Sequence, residues 1–413
     1  MAVKVVEKFS GFKLYFFFLS VTPLHETMQA QDLDFSDIRP FHDDEVPAAI
    51  ERVLQNKSFE KLVEFVYPET PREQIYRMMR ACRNVFDFQK NISRTAVKAV
   101  LKRSSEGLSY SGFENIDPNS GHLFISNHRD IILDSAILNI SLIDEGIPST
   151  ETAIGSNLLS FALAEDLSKL NKNFIVKRNV PQKEMYNNSH KLSAYIHSRI
   201  AENTSVWLAQ REGRSKDGID RTQPGLLKML TIGFEGAYAD CFHSLRLLPM
   251  TISYEFDPCD FLKARELKTV RNEGSYTKGK NEDLQSMITG VLGRKGHIHL
   301  QVGAAFDDAI ETLREERNKN EKIRMLAEII DRQINRGYKL WPNNYVAHDM
   351  LHASDTNRDC YTSEDRERFE AYIQHQLSQL EQPDDTDREI LLGIYANAVD
   401  RVRESLGSST TSF

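Results

Sequence analysis

Four short apolar runs in the middle of the chain limit its fold most strongly. They occupy residues 123–125, 174–176, 206–209 and 247–254. Each run is typical of a short buried strand, and helical patterns fill the intervals between them. The alternation of strands and helical stretches from about residue 108 to residue 306 predicts a sheet flanked by helices.

A polar turn follows the first run. Residues 127–130 (Asn-His-Arg-Asp) connect it to an apolar helix expected to begin near Ile131. Because α/β folds place their chemistry at strand ends, we expect His128 at the edge of the sheet. An imidazole can take a proton from a hydroxyl at neutral pH if a carboxylate orients it. Asp134 is the candidate carboxylate and Asp130 its rival; alternatively, His128 caps the helix and Asp130 faces the helix dipole.

Charged residues also follow the second and third runs. Lys177 and Arg178 end the second run, and the third leads into residues 210–215 (Gln-Arg-Glu-Gly-Arg-Ser). The fourth run contains Pro249. In this order, the four blocks resemble those of the glycerolipid acyltransferase superfamily, which includes glycerol-3-phosphate and lysophosphatidate acyltransferases. The blocks of that family are Asn-His-x4-Asp, a strand ending in Arg-Arg or Lys-Arg, Phe-Pro-Glu-Gly-Thr-Arg-Ser and a strand with proline.

The resemblance implies an α/β fold, with a central mixed sheet flanked by helices, that transfers a fatty acyl group from a thioester to a hydroxyl. His128 would deprotonate the hydroxyl and Asp134 would hold the imidazole, without a covalent acyl-enzyme. The implied ligands of the acceptor phosphate are Lys177, Arg178 and Arg214. The other implied substrate-binding residues are Asn127, Arg129, Glu212, Gly213 and Ser215. We expect no metal and no cofactor beyond the donor, acyl-CoA or acyl carrier protein.

The sequence departs from the family pattern in three places. Five residues, not four, separate His128 from Asp134. Gln210 and Arg211 replace Phe-Pro, and the threonine before Arg214 is missing. On a continuous helix neither spacing would bring the histidine and the acid together, so their pairing requires a turn.

Two further histidine pairs carry alternatives. His348 and His352 are spaced as in zinc proteases and could form the metal site of a metallohydrolase. The other interpretation is that they are two surface histidines on a helix. His297 and His299 alternate along a predicted strand and are expected on the sheet surface.

Composition and charge limit the possible partners. The chain has 413 residues, 40% of them hydrophobic, enough for a large core. A net charge of −8 argues against general nucleic-acid binding. It also means that any contact with anionic lipid would have to use a local basic patch. One basic run could meet phosphates, lipid headgroups or an acyl carrier protein, or could be a solvated face. Its members are Lys263, Arg265, Lys268, Arg271, Lys278 and Lys280.

The pattern divides the chain into five segments. Residues 1–27 imitate a signal peptide but are interpreted as a misassigned start or a dispensable leader. Residues 28–105 are expected to form a helical N-terminal domain and residues 106–308 the acyltransferase domain. Residues 309–406 are expected to form a helical C-terminal region and residues 407–413 a disordered tail.

Capping residues and glycines mark several helix ends. Thr70 is predicted to cap a helix that starts at Pro71, and Thr362 to cap another. A helical apolar stripe over residues 323–334 is expected to end at Gly337.

The resemblance therefore implies transfer of an acyl group from acyl-CoA or acyl carrier protein to a glycerol-phosphate or lysophospholipid acceptor. A thioesterase, a lipid-binding protein without turnover and a metallohydrolase remain as alternatives. Four cysteines without paired spacing suggest reduced thiols, so the expected location is the cytoplasm, with peripheral contact at the inner face of the membrane. The residues leave the acceptor, the donor and the oligomeric state open.

Overall fold

A computed structural model describes residues 33–159, 161–279 and 281–407. Within them, a seven-stranded mixed sheet is flanked by helices, which confirms the α/β fold class. The strands are β1 (Ser105–Ser111), β2 (Leu123–Ser126), β3 (Glu151–Gly155), β4 (Asn173–Val176), β5 (Val206–Ala209), β6 (Leu247–Tyr254) and β7 (Gly296–Val302).

Helices precede, connect and follow the strands. Before the sheet lie α1 (Val46–Leu54), α2 (Lys57–Val66), α3 (Arg72–Ala81), α4 (Val85–Phe88) and α5 (Arg94–Ser104), the last two joined by a π-helical turn (Gln89–Ser93). Between strands lie α6 (Leu133–Asp144), α7 (Ala162–Leu170), α8 (Gln182–Ala201), α9 (Pro224–Leu230), α10 (Tyr238–Ser244), α11 (Asp260–Glu273) and α12 (Glu282–Leu292). After the sheet lie α13 (Asp307–Glu311), α14 (Lys319–Arg336), α15 (Pro342–Leu351), α16 (Ser363–Leu377) and α17 (Asp385–Ser405).

The strand order brings the polar turns together. The order is β1-β7-β6-β2-β5-β3-β4, and β2 lies between β5 and β6, parallel to both. β3 and β4 continue the parallel arrangement, whereas β7 runs antiparallel to β6. The carboxyl ends of β2 to β6 therefore lie along one edge of the sheet, where open α/β sheets bind their ligands.

The central strand is buried because helices cover both faces of the sheet. Leu123 and Ile125 pack in a core with residues of α8, α9 and α14, whereas Phe124 points into the opposite core with residues of α5 and α6. All three are at most 2% exposed. This two-sided burial explains why β2 is a continuous apolar run rather than an alternating one.

The predicted helix ends agree with the structure in two cases and differ in one. Thr362 caps α16 and accepts a hydrogen bond from the Asp365 backbone N–H at 3.0 Å. The apolar stripe of α14 is buried, and the helix ends at Gly337. The Thr70 cap is wrong, because Pro71 occupies the N-cap position and makes no side-chain capping bond there.

Several expectations fall on the chain ends. Residues 1–27 and 408–413, which include the expected leader and almost all of the expected tail, lie outside the described residues. The boundaries of the expected domains stay predictions. Among the described helices, none is both long enough and apolar enough to cross a membrane.

Candidate active site

The site lies where the turn after β2 meets the loop after β5. The Ser215 backbone N–H donates to the His128 carbonyl at 2.8 Å, and the Gln210 N–H donates to the Ser126 carbonyl at 2.7 Å. These backbone bonds hold the loop against the turn, so Gly213 and Arg214 lie within two residues of a direct contact with His128.

His128 and Asp134 form a hydrogen-bonded pair. The imidazole Nδ1 lies 2.8 Å from Asp134 Oδ2, and the carboxylate is 1% exposed. An ionised carboxylate can only accept, so Nδ1 carries the proton and Nε2 keeps its lone pair. The His128 side chain is 15% exposed and lies in the wall of a large groove.

The turn explains how five intervening residues permit this pairing. Asp130 Oδ1 accepts from the Ile132 and Leu133 backbone N–H groups at 2.9 and 2.7 Å, and α6 starts at Leu133 rather than near Ile131. The backbone N–H groups of Arg129 and Asp130 donate to Asp134 Oδ2 at 2.6 and 3.0 Å. Asp134 thus pairs with the imidazole while Asp130, the rival, organises the start of the helix.

Asp130 is itself in an unusual environment. Burial raises the pKa of its carboxyl, and the nearby charge of Asp134 raises it further. Its Oδ2 has no hydrogen-bond partner among the described residues. Helix α12 packs against this carboxylate at Gly290, where an added Cβ would lie 2.0 Å from Asp130 Oδ2. Only glycine at position 290 therefore allows α12 to pack this closely against Asp130.

Three residues implied to bind substrate have other contacts. Asn127, 0% exposed, exchanges hydrogen bonds with the Ile252 backbone at 2.9 and 3.0 Å. Arg129 forms a buried ion pair with Asp220 at 2.5 Å. Ser215 donates to the Ile219 carbonyl at 3.1 Å and is also buried. Asn127, Arg129 and Ser215 do not line the groove, and their contacts fasten the turn and the loop to the sheet. Their implied role in substrate binding stays a prediction.

The implied phosphate ligands differ in their surroundings. Lys177 pairs with Asp37 at 2.5 Å, and Arg178 pairs with Glu212 at 2.5 Å at the edge of the groove. Arg214 lines the groove, is only 7% exposed, and its Nη1 has no hydrogen-bond partner among the described residues. A buried guanidinium N–H without an acceptor is energetically costly unless a ligand supplies one.

Gly213 turns the loop beside this arginine. Its φ is +71°, in the left-handed region that glycine adopts without strain. The backbone N–H groups of Gly213 and Arg214 make no hydrogen bond within the described part of the chain. Unpaired N–H groups beside a cation form a suitable environment for an anion.

The groove is largely apolar away from this charged end. Helices α2, α5, α6 and α12 contribute to its walls. Of these, α2 and α5 precede the sheet in the chain. The apolar lining includes Leu62, Phe65 and Val66 of α2, Ala96, Val97 and Val100 of α5, Ala136, Ile140 and Ile143 of α6, and Leu284, Met287, Ile288 and Val291 of α12.

The predicted basic run does not form one open surface. Lys263 is 1% exposed, pairs with Asp257 and donates to the Arg129 carbonyl at 3.0 Å. Lys268 and Arg271 pair with acidic residues of α17 and its N-cap, and Lys278 pairs with Asp283. Lys280 lies outside the described residues. Arg265 is exposed. Contact of the run with phosphates, lipid headgroups or a carrier protein stays a prediction.

His348 and His352 approach a third potential metal ligand, Asp400, and one atom of each lies within 4.8 Å of the others. The neighbouring hydrogen bonds favour another arrangement. Asn357 Nδ2 donates to His348 Nδ1 at 3.0 Å, which places the imidazole proton on Nε2, 3.3 Å from Asp400. A proton there competes with a metal ion. His348 is also buried, so the interpretation as two surface histidines is wrong for it.

The second histidine pair lies on β7 as predicted. His297 is exposed and bonds Glu255 through Nδ1 at 2.9 Å, and His299 contacts two serines of β1. Both are therefore bound to neighbouring side chains at the sheet surface.

Sequence reasoning missed two contributors to the site. Tyr254 ends β6 and donates its hydroxyl to Asp134 Oδ1 at 2.9 Å. Helix α12 supplies Gly290 and part of the groove. A polar hydroxyl at the end of an apolar strand was the available signal for Tyr254, but its use requires knowing that β6 lies beside β2.

Part of the chain matches a known protein family. The Acyltransferase family model matches residues 107–233, which include the turns after β2, β4 and β5. No curated protein matches the chain. Among solved structures, the chain is similar to PlsC from Thermotoga maritima, a 1-acyl-sn-glycerophosphate (LPA) acyltransferase, with 11% identity and a TM-score of 0.35 over 70% of this chain and 93% of that one. Over residues 107–233, the predicted resemblance to acyltransferases is therefore confirmed.

Proposed function

We propose that the protein transfers a fatty acyl group from the thioester of acyl-CoA or acyl carrier protein to the hydroxyl of a glycerol-phosphate or lysophospholipid acceptor. The observation that carries this proposal is the His128–Asp134 pair in the wall of an apolar groove with a cationic end. An acyl chain suits the apolar walls, and an acidic headgroup suits the charged end.

The pair supports general base catalysis. His128 Nε2 takes the proton from the acceptor hydroxyl while the oxygen attacks the thioester carbonyl. The carbon–sulfur bond then breaks, and the imidazolium returns the proton to the leaving thiolate. Asp134 stabilises the imidazolium that exists between the two transfers. The free N–H groups of Gly213 and Arg214 are candidates to bind the carbonyl oxygen as it becomes negative.

Arg214 is the best-supported ligand of the acceptor phosphate. A phosphate oxygen would satisfy its unpartnered Nη1, and the buried surroundings strengthen a charge-assisted bond. Arg178 can add to this site, because exposed ion pairs like the one with Glu212 contribute only about 0–1 kcal/mol and a phosphate can displace the carboxylate. Lys177, held by Asp37, stays a weaker candidate.

We expect Arg214→Lys to raise the KM for a phosphorylated acceptor while kcat changes little. The loss of a charge-assisted hydrogen bond of about 1.5–3 kcal/mol corresponds to roughly a 10- to 100-fold increase. The KM for acyl donor, and the KM for a monoacylglycerol that lacks the phosphate, should not change. Arg199→Lys, outside the groove, is the control. An unchanged acceptor KM would remove Arg214 from the phosphate site.

We further propose that the groove opens toward a membrane surface. Leu284, Ile288 and Leu292 are 41, 47 and 56% exposed and follow each other at four-residue intervals on α12. Leu62 and Phe65 of α2, each 38% exposed, line the same groove. An exposed apolar stripe beside a lipid-binding groove suits insertion into the headgroup region.

Replacing Leu284, Ile288 and Leu292 together with serine should reduce binding to phospholipid vesicles, because it removes the apolar contact. The rate with a water-soluble short-chain acyl donor and glycerol 3-phosphate should be retained. Vesicle flotation measures the binding. Leu406→Ser, at a residue 63% exposed but outside the groove, is the control. Equal flotation of all three proteins would contradict this orientation.

The cytoplasmic location stays a prediction.

The main test is thiol release from acyl-CoA and acyl carrier protein, with and without glycerol 3-phosphate or lysophosphatidate. Acceptor-dependent release that is lost in His128→Ala would support acyl transfer and identify both substrates. Release without any acceptor would instead indicate a thioesterase. Absence of release with every pair, combined with binding of fatty acyl groups, would favour a lipid-binding protein.

A further inference from the structure

Tyr254 contacts the Asp134 carboxylate of the His128–Asp134 pair. It is the last residue of β6, and β6 pairs in parallel with β2, the strand that leads into the His128 turn. The Tyr254 side chain is 3% exposed, and its hydroxyl donates to Asp134 Oδ1 at 2.9 Å. Tyr254 does not line the groove, so it does not meet a substrate there.

The two oxygens of Asp134 are used differently. Oδ2 accepts from the His128 imidazole and from the backbone N–H groups of Arg129 and Asp130. Oδ1 accepts only from Tyr254 among the described residues. The side-chain torsion that rotates a carboxylate has a broad energy minimum. One donor on the second oxygen therefore fixes the plane of the carboxylate and, through it, the orientation of the imidazole.

We propose that Tyr254 is a positioning residue for the Asp134–His128 pair. This inference rests on the proposed function, in which His128 is the general base. Burial raises the pKa of Tyr254 well above its ordinary value, and the charge of Asp134 raises it further. The phenol therefore stays protonated, as a donor must, while acyl transfer occurs.

The chain contains a matched pair elsewhere. Tyr361 is 6% exposed and donates its hydroxyl to Asp349, 1% exposed, at 3.0 Å. This bond lies within the C-terminal helical region, and neither residue lines the groove. Tyr361→Phe therefore removes the same kind of buried hydrogen bond as Tyr254→Phe, and it serves as the control for a purely structural role.

The experiment compares the wild type, Tyr254→Phe and Tyr361→Phe by melting temperature, steady-state kinetics and NMR of protein labelled with 15N-histidine. Both variants should lose stability. Only Tyr254→Phe should lower kcat, by about tenfold (about 1.4 kcal/mol), with both KM values unchanged, because this bond orients the general base and does not contact substrate. Only Tyr254→Phe should move the signal of the His128 Nδ1–H group.

An unchanged kcat or an unmoved signal in Tyr254→Phe would overturn the inference. An equal loss of kcat in Tyr361→Phe would overturn it too, because general destabilisation would then explain the effect. If the wild type transfers no acyl group, the proposed function fails, and the NMR signal alone decides whether Tyr254 positions the imidazole. If Tyr254→Phe does not fold, 3-fluorotyrosine at position 254 changes the donor strength without removing the hydroxyl, and an unmoved signal then overturns the inference.

Discussion

Replacing His128 with alanine is expected to lower acceptor-dependent acyl transfer about a thousandfold, within the range of about 10²–10⁴ that a general base contributes. The reason is that His128 lines the groove and that its Nδ1 bond to Asp134 leaves the Nε2 lone pair to accept a proton. Thiol release from the acyl donor, with the acceptor present, measures the loss.

The fold should tolerate this change. The imidazole makes one side-chain hydrogen bond, to Asp134, and is partly exposed, so the melting temperature should fall only slightly. His299→Ala removes a histidine at the surface of the same sheet and should keep full activity. Normal turnover in the His128→Ala protein would eliminate His128 as the base and with it the proposed mechanism.

The second large effect is expected from Asp134→Asn, which should lower kcat about a hundredfold, in line with the loss of one preorganised electrostatic contact. The amide oxygen can replace Oδ2 and accept the same three hydrogen bonds, and the amide nitrogen can donate to the Tyr254 hydroxyl. The geometry should therefore survive, whereas the negative charge that stabilises the imidazolium is lost. Stopped assays of the purified variant, with circular dichroism to verify folding, measure this loss.

Asp130→Asn is the matched control for this variant. Its side-chain oxygen can still accept from the Ile132 and Leu133 N–H groups, so α6 should start where it does in the wild type. The charge of Asp134 is untouched, and activity should stay within a few-fold of the wild type. A larger loss in Asp130→Asn than in Asp134→Asn would reverse the assignment of the two acids.

The sequence predicted the strands of the site more accurately than its contacts. The apolar runs at β2, β5 and β6 matched the structure within a residue, since central strands covered by helices on both faces need continuous apolar side chains. The pairing of His128 with Asp134 was also expected, on a local turn. Local patterns carry such information because the interacting groups are close in the chain.

Contacts between distant parts of the chain could not be predicted in this way. Asn127 was implied to bind substrate, and its hydrogen bonds with Ile252, 125 residues away, were not foreseen. Lys177 was implied to bind phosphate, and its ion pair with Asp37, 140 residues away, was not foreseen. Each outcome depends on which strands and helices are neighbours in space, and that order is not contained in the local periodicity.

The sheet order has a consequence for the part of the chain that resembles acyltransferases. Residues 107–233 end before β6 and β7, yet β2 has β6 as one of its two neighbours, and among the described strands β1 pairs only with β7. If residues 107–233 were excised, β1 would have no partner, and Asp134 would lose the Tyr254 hydroxyl. One side of β2 would present unpaired N–H and C=O groups to water, and such an open edge recruits strands from other molecules. An excised segment of residues 107–233 is therefore expected to aggregate, because the strands that complete its sheet lie within residues 247–302, beyond the part that the family model matches.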